Sequence, residues 1–187
     1  MEKSMKICIK LAKITLFFAV VILLCRFVLL PYIFPKKYQQ EINYFCQQYE
    51  LPPSLVYAVI FTESRFDKNA ISSKDAKGLM QIREATGEWA AGLLDMEQYH
   101  NQTLFEANSN IQIGCWYLNK LTNQFGTTQT ALAAYNAGSG NVSKWLQDSR
   151  YSDDGKTLKD IPYGETKRYV KKVMLIKKIY QWLYDII

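Results

Sequence analysis

The chain has 187 residues, 49% of them apolar, enough for one domain with an ordinary core. Its formal charge of +6 is uneven: residues 1–35 carry Lys3, Lys6, Lys10, Lys13 and Arg26 against Glu2, whereas the remainder carries 18 basic and 16 acidic side chains. That near balance excludes a basic domain built to neutralise many phosphates, so no nucleic-acid partner is expected.

The first expected element is a membrane anchor over residues 1–35. Ile14 to Cys25 is uncharged, and Phe27 to Phe34 extends the run past Arg26. This length can span a hydrocarbon core, with Arg26 snorkelling to the far interface. Basic residues ahead of the run predict a cytoplasmic N-terminus, a single pass and an extracytoplasmic C-terminal domain. A cleaved signal peptide is the competing reading. No small-x-small site follows the run (Leu29-Leu30-Pro31-Tyr32-Ile33-Phe34), so an uncleaved anchor is expected.

From residue 36 onward the apolar spacing is helical almost throughout. Ile42, Phe45, Cys46 and Tyr49 make one stripe, and Pro52-Pro53 separates it from a helix starting at Pro53 or Ser54. Phe66 to Gly78 reads as a loop, and Leu79 to Ala91 as a short helix. A long stripe from Ala107 to Phe125 ends at Gly126; Thr127 or Thr128 caps the next helix, which Gly138-Ser139-Gly140 breaks. A short helix follows around Val142 to Leu146. Asp153-Asp154-Gly155 reads as a tight turn between two short extended pieces. The last helix places Tyr169, Val173, Ile176, Tyr180 and Leu183 on one side, with a basic, solvated face opposite. The four cysteines do not form a disulfide framework. Cys8 and Cys25 lie in or beside the anchor. Cys46 and Cys115 read as core residues, with a bridge between them left open. The lone His100 has no Cys/His cluster around it, so neither a metal nor a cofactor is expected.

The chemically informative residue is Glu63. At helical spacing Val56, Val59, Ile60 and Glu63 share a face. A carboxyl among aliphatic side chains is desolvated, and the negative end of the helix dipole acts in the same direction. Both effects keep it protonated, the condition a general acid needs. The plainer reading is a helix-terminal glutamate facing water or paired with Arg65.

Four blocks stand around it in register. They are Glu63-Ser64-Arg65-Phe66 with Ala70-Ile71-Ser72-Ser73, then Gly78-Leu79-Met80-Gln81-Ile82, then Ala133-Ala134-Tyr135-Asn136-Ala137-Gly138. The last is Ile161-Pro162-Tyr163-Gly164-Glu165-Thr166-Lys167-Arg168-Tyr169-Val170. Together, from about Lys37 to the C-terminus, they resemble the soluble lytic transglycosylase catalytic domain, which is goose-lysozyme-like.

The resemblance implies a mostly α, lysozyme-like domain over residues 36–187 with at most a short β-hairpin. It implies a monomer that cleaves the β-1,4 bond between N-acetylmuramic acid and N-acetylglucosamine in peptidoglycan strands without water. Glu63 would protonate the bridging oxygen, then accept the proton of the muramyl C6 hydroxyl as that oxygen closes a 1,6-anhydro ring. By the same resemblance Ser64, Met80, Gln81, Tyr135, Asn136, Glu165 and Tyr169 would bind substrate or line the cleft. Two alternatives remain: a hydrolytic muramidase using Asp67 or Asp75 as second base, and a non-catalytic peptidoglycan-binding scaffold.

Overall fold

The computed structural model describes residues 2–184 and Ile186, without the side chains of residues 2–4, 6–8 and 12. The charges expected at Glu2, Lys3 and Lys6 and the thiol of Cys8 therefore lie outside the described residues. The chain divides into two compact units, residues 1–36 and 37–187.

The first unit is helical: α1 (Glu2–Leu24), a widened π-helical turn at Cys25–Leu29, and α2 (Leu30–Ile33). The widened turn has a local cause. Pro31 has no N–H to return to the carbonyl four residues back, and a π turn absorbs the misfit. Leu16, Phe17, Ile22 and Phe27 are each more than half exposed. By length and composition, Ile9–Ile33 is sufficient to cross a membrane.

The second unit is built around α4 (Pro53–Glu63), in which every residue from Ser54 to Ile60 is buried. A helix apolar on all sides has to be the middle of something. Pro53 opens it at a position where the missing N–H costs nothing. Against it packs α9 (Gly164–Tyr184), where Tyr57 and Tyr180 stack at 5.1 Å. On α4 also packs α3 (Gln39–Gln48), while α6 (Ala107–Phe125) packs on α3 and on α7 (Thr128–Ala137), which in turn rests on α9. The shorter α5 (Glu84–Leu93) and α8 (Ser139–Leu146) complete the helical shell. Gly126, in a left-handed conformation (φ 71°), ends α6. Thr127 caps α7 through its hydroxyl, which accepts the Thr130 N–H at 3.2 Å. Arg168, Lys171, Lys172 and Lys178 on α9 are exposed.

Two expectations need correction. The stretch expected to be helical from Leu79 is not helical before Glu84. Instead β1 (Ala76–Lys77) pairs antiparallel with β2 (Ile82–Arg83), and the chain reverses through Gly78 (φ 76°) and Gln81 (φ 51°). Left-handed residues there are incompatible with a right-handed helix. At Asp153-Asp154-Gly155 only the turn forms. The Asp154 carboxylate accepts the N–H groups of Lys156 (2.8 Å) and Thr157 (2.7 Å), which holds its pKa well below the carboxylate range. That local satisfaction replaces strand pairing, and among the described residues no strand flanks the turn.

Cys46 of α3 and Cys115 of α6 are buried free thiols on two helices that pack together. Burial pushes the Cys115 thiol up.

Candidate active site

A cleft of about 950 Å³ opens where the end of α4 meets the hairpin, α7 and the start of α9. Glu63, Gln81, Tyr135, Asn136 and Glu165 line it, whereas Ser64, Met80 and Tyr169 do not.

Glu63 is the last residue of α4. Just beyond it Arg65 (φ 52°) and Phe66 (φ 65°) are both left-handed, so the chain turns sharply away and leaves the carboxyl at the cleft floor. The Arg65 guanidinium lies over the Phe61 ring, 6.0 Å from its centroid. Burial lifts the Glu63 pKa from 4.5 to about 7. The Tyr169 hydroxyl and the more distant Lys172 charge oppose the rise and are outweighed. Tyr169 approaches Glu63 closely enough to act on its charge, yet its hydroxyl completes no hydrogen bond of ordinary geometry. Burial, and then the Glu63 charge, push the phenols of Tyr135 and Tyr169 well up, so both keep their protons beside the carboxyl.

The residues that do not line the cleft hold its walls. Ser64 donates through Oγ to the carbonyls of Ile60 (3.2 Å) and Leu79 (2.8 Å), tying the end of α4 to the hairpin turn. Met80 is fully buried; its carbonyl accepts the Tyr135 hydroxyl at 2.8 Å. Its side chain lies against Gly114, where an added Cβ would meet Sδ at 2.2 Å. Gln81 donates through Nε2 to the carbonyls of Ala70 (3.1 Å) and Gly78 (2.9 Å), closing its own turn.

Asn136 accepts the Thr166 hydroxyl at 2.7 Å, which locks α7 to α9 at the cleft edge. Glu165 is exposed and stands 3.8 Å from the Lys74 ammonium.

Sequence reasoning passed over Asn110, Tyr117 and Thr166. Asn110 is fully buried on α6. Its Oδ1 accepts the Met80 N–H (2.8 Å), and its Nδ2 donates to the carbonyls of Lys77 (3.0 Å) and Leu104 (2.7 Å). The clue was a polar amide at helical spacing between Ala107 and Gly114, inside an otherwise apolar stripe.

The raised pKa links the site to stability. The folded state binds the Glu63 proton more tightly than an exposed glutamate does. Stability from this group is therefore fully present below about pH 4.5 and is lost as pH rises toward 7. The total is on the order of 3 kcal/mol. A Glu63→Gln protein is expected to lack this slope, and so to gain on the wild type between pH 5 and pH 8. Chemical denaturation of both proteins at the two pH values is the check; parallel behaviour would rule out a buried carboxyl.

The family described as "Transglycosylase SLT domain" matches residues 40–158. The "Soluble lytic murein transglycosylase" of Escherichia coli is 32% identical over 152 residues, 80% of this chain and 24% of that one. "Membrane-bound lytic murein transglycosylase C" of Pectobacterium atrosepticum is 28% identical over 174 residues, 78% of this chain and 47% of that one. Among solved structures, the 70-kDa soluble lytic transglycosylase of Escherichia coli superposes with a TM-score of 0.72 at 30% identity, over 82% of this chain and 25% of that one. An inactive glutamate-to-glutamine variant of the lytic transglycosylase Slt from Pseudomonas aeruginosa gives the same TM-score, 0.72, at 29% identity. It covers 81% of this chain and 25% of that one. The chain thus spans about a quarter of the length of its soluble relatives.

Proposed function

Because this chain belongs to the transglycosylase SLT domain family, we propose that residues 36–187 are a peptidoglycan lytic transglycosylase. The observation that carries the reading is Glu63, a carboxyl with a pKa near 7 on the floor of a cleft of about 950 Å³. At neutral pH about half of such groups hold a proton to give.

Glu63 acts first as acid, protonating the oxygen that bridges N-acetylmuramic acid and N-acetylglucosamine. As a carboxylate it then takes the proton from the C6 hydroxyl of the same muramyl residue. The C6 oxygen bonds to C1, and a 1,6-anhydro end leaves. An internal nucleophile has a high effective concentration, so one enzymatic carboxylate suffices. Gln81 and Asn136 line the cleft with the amide atoms their own hydrogen bonds leave over, Oε1 and Nδ2, available to the sugar, and Glu165 borders it beside Lys74. Tyr135 and Tyr169 stand beside Glu63 as neutral phenols, with Ser64 and Met80 fixing the wall that Tyr135 leans on.

The hydrolytic alternative needs a base to activate water, usually a second carboxylate. Asp67 accepts the Asn69 N–H at 2.9 Å and Asp75 pairs with Lys77 at 3.4 Å; neither lines the cleft. Their engagement elsewhere supports the transglycosylase over the hydrolase. The test is mass analysis of the products from purified wall. Anhydro ends are expected, each one water lighter than a hydrolysed end. Reducing muramyl ends would make the protein a muramidase, and no cleavage at all would make it a binding module.

We further propose that residues 1–35 anchor the enzyme in the cell membrane as a single pass, with the catalytic unit on the extracytoplasmic side. The supporting features are the span Ile9–Ile33 and the four lysines, Lys3, Lys6, Lys10 and Lys13, ahead of its uncharged run from Ile14. The full chain is expected to stay with membranes through alkaline carbonate washing and to be cut by protease added outside intact protoplasts. Release by carbonate, or protection from the protease, would contradict the anchor or its orientation respectively.

A further inference from the structure

We propose that Trp89 and Trp116 form a second sugar-stacking platform that prolongs the cleft along α5 and α6, taking an N-acetylhexosamine ring farther along the strand than those beside Glu63. The proposal rests on the glycan-strand reading given above. A chain of ring contacts leads out of the cleft. Tyr135 and Tyr117, which both line it, lie 5.5 Å apart by their centroids. Tyr117 lies 6.3 Å from Trp89, and Trp89 meets Trp116 edge to face at 4.9 Å. Thr86 also lines the cleft, and Trp89 is three residues farther along α5, hence on the same helix face. The aromatic path is therefore continuous with the cleft wall.

Exposure is the second argument. Trp89 is 45% exposed, although it is among the largest apolar side chains in the unit. Joining α5 to α6 does not require an indole left half in water, because Ala90 and Ala91 on α5 are buried. Exposed aromatic surface next to a binding cleft marks a place where a ligand completes the burial. A pyranose suits it: the ring presents axial C–H groups on one face and hydroxyls on its rim, so it can cover an indole while its polar edge stays wet. The Lys120 ammonium sits 5.0 Å from the Trp89 centroid and 5.6 Å from that of Trp116. It lies over both rings and holds them as a unit, so the sugar takes the part of Trp89 that stays exposed.

The test uses the full chain in detergent with Glu63→Gln throughout, so that substrate is bound and not consumed. Affinity is measured for long, uncrosslinked glycan strands and for a tetrasaccharide as the short ligand. Adding Trp89→Ala is expected to weaken strand binding about 3- to 10-fold, the scale of one aromatic contact, and to leave tetrasaccharide binding unchanged. Trp89→Phe is expected to restore most of the loss, which a folding defect would not permit. Equal effects on both ligands, or none on either, would overturn the platform. So would a loss confined to binding of phospholipid vesicles, which would assign the indoles to a lipid surface. A wild-type chain that cleaves wall while Trp89→Ala leaves strand binding intact sinks the platform alone. A wild-type chain without cleavage, whose strand affinity still depends on Trp89, sinks the catalytic reading alone.

Discussion

Glu63→Gln is expected to reduce glycan cleavage by ~10⁴-fold, the upper end of what a general acid or base contributes, because the same atom pair serves both proton transfers. Glutamine keeps the shape and can still donate an N–H. It cannot hand a proton to a leaving oxygen or collect one from a hydroxyl. Substrate affinity should change little, since the cleft walls are held by Ser64, Met80, Gln81 and Asn136, none of which takes a hydrogen bond from Glu63. The comparison is of anhydro-end release by the two proteins on the same wall preparation, with folding checked by thermal unfolding. Residual activity within tenfold of wild type would mean that the proton comes from elsewhere. In the wild type, cleavage by the free enzyme should fall as pH rises through about 7, where the folded carboxyl ionises.

The second large effect is expected at a residue that touches no substrate. Asn110→Ala removes the partner of the Met80 N–H and of the Lys77 and Leu104 carbonyls together. All three lie where Asn110 itself has no solvent exposure. Leaving buried backbone groups unpaired costs about 1–3 kcal/mol each when no water replaces the lost partner. With partial relaxation, a net loss of ~3 kcal/mol is the expected outcome, read from the denaturant midpoint at constant slope. Cleavage should fall as well, because Met80 supports Tyr135 and the hairpin forms one wall of the cleft. A midpoint shift worth less than ~1 kcal/mol would show that the three backbone groups find other partners.

These two residues mark what was legible in the sequence and what was not. The apolar helix ending in Glu63 was legible, because Val56, Val59 and Ile60 sit on one helix and spacing alone brings them together, whereas Tyr135 and Tyr169 reach the carboxyl from α7 and α9 and were not legible from spacing. The helix boundaries at Gly126, Thr127 and Gly138 were legible for the same reason, since caps act within one turn. A short hairpin was within what the resemblance implied, but its position was not legible. Two-residue strands are too short to show a period, and Gln81 is a non-glycine residue in a left-handed turn that its own side-chain amide closes. The Asp154 turn was visible, yet its carboxylate bonds only within the turn and imposes no strands on either side. Partnerships between distant segments stayed hidden as well. Asn110 bonds to residues of the hairpin and of the segment before α6, and Asn136 bonds to Thr166 thirty positions away. Pairing of this kind depends on how helices stack, which no window of sequence encodes.

The buried thiols of Cys46 and Cys115 carry a consequence for how residues 37–187 come apart. They are 3% and 0% exposed, so a reagent in solution meets them only after α3 lifts from α6. The seam thus contains its own clock: the lag before the inner pair reacts measures how often the first helix of the unit breathes, independently of any event in the cleft.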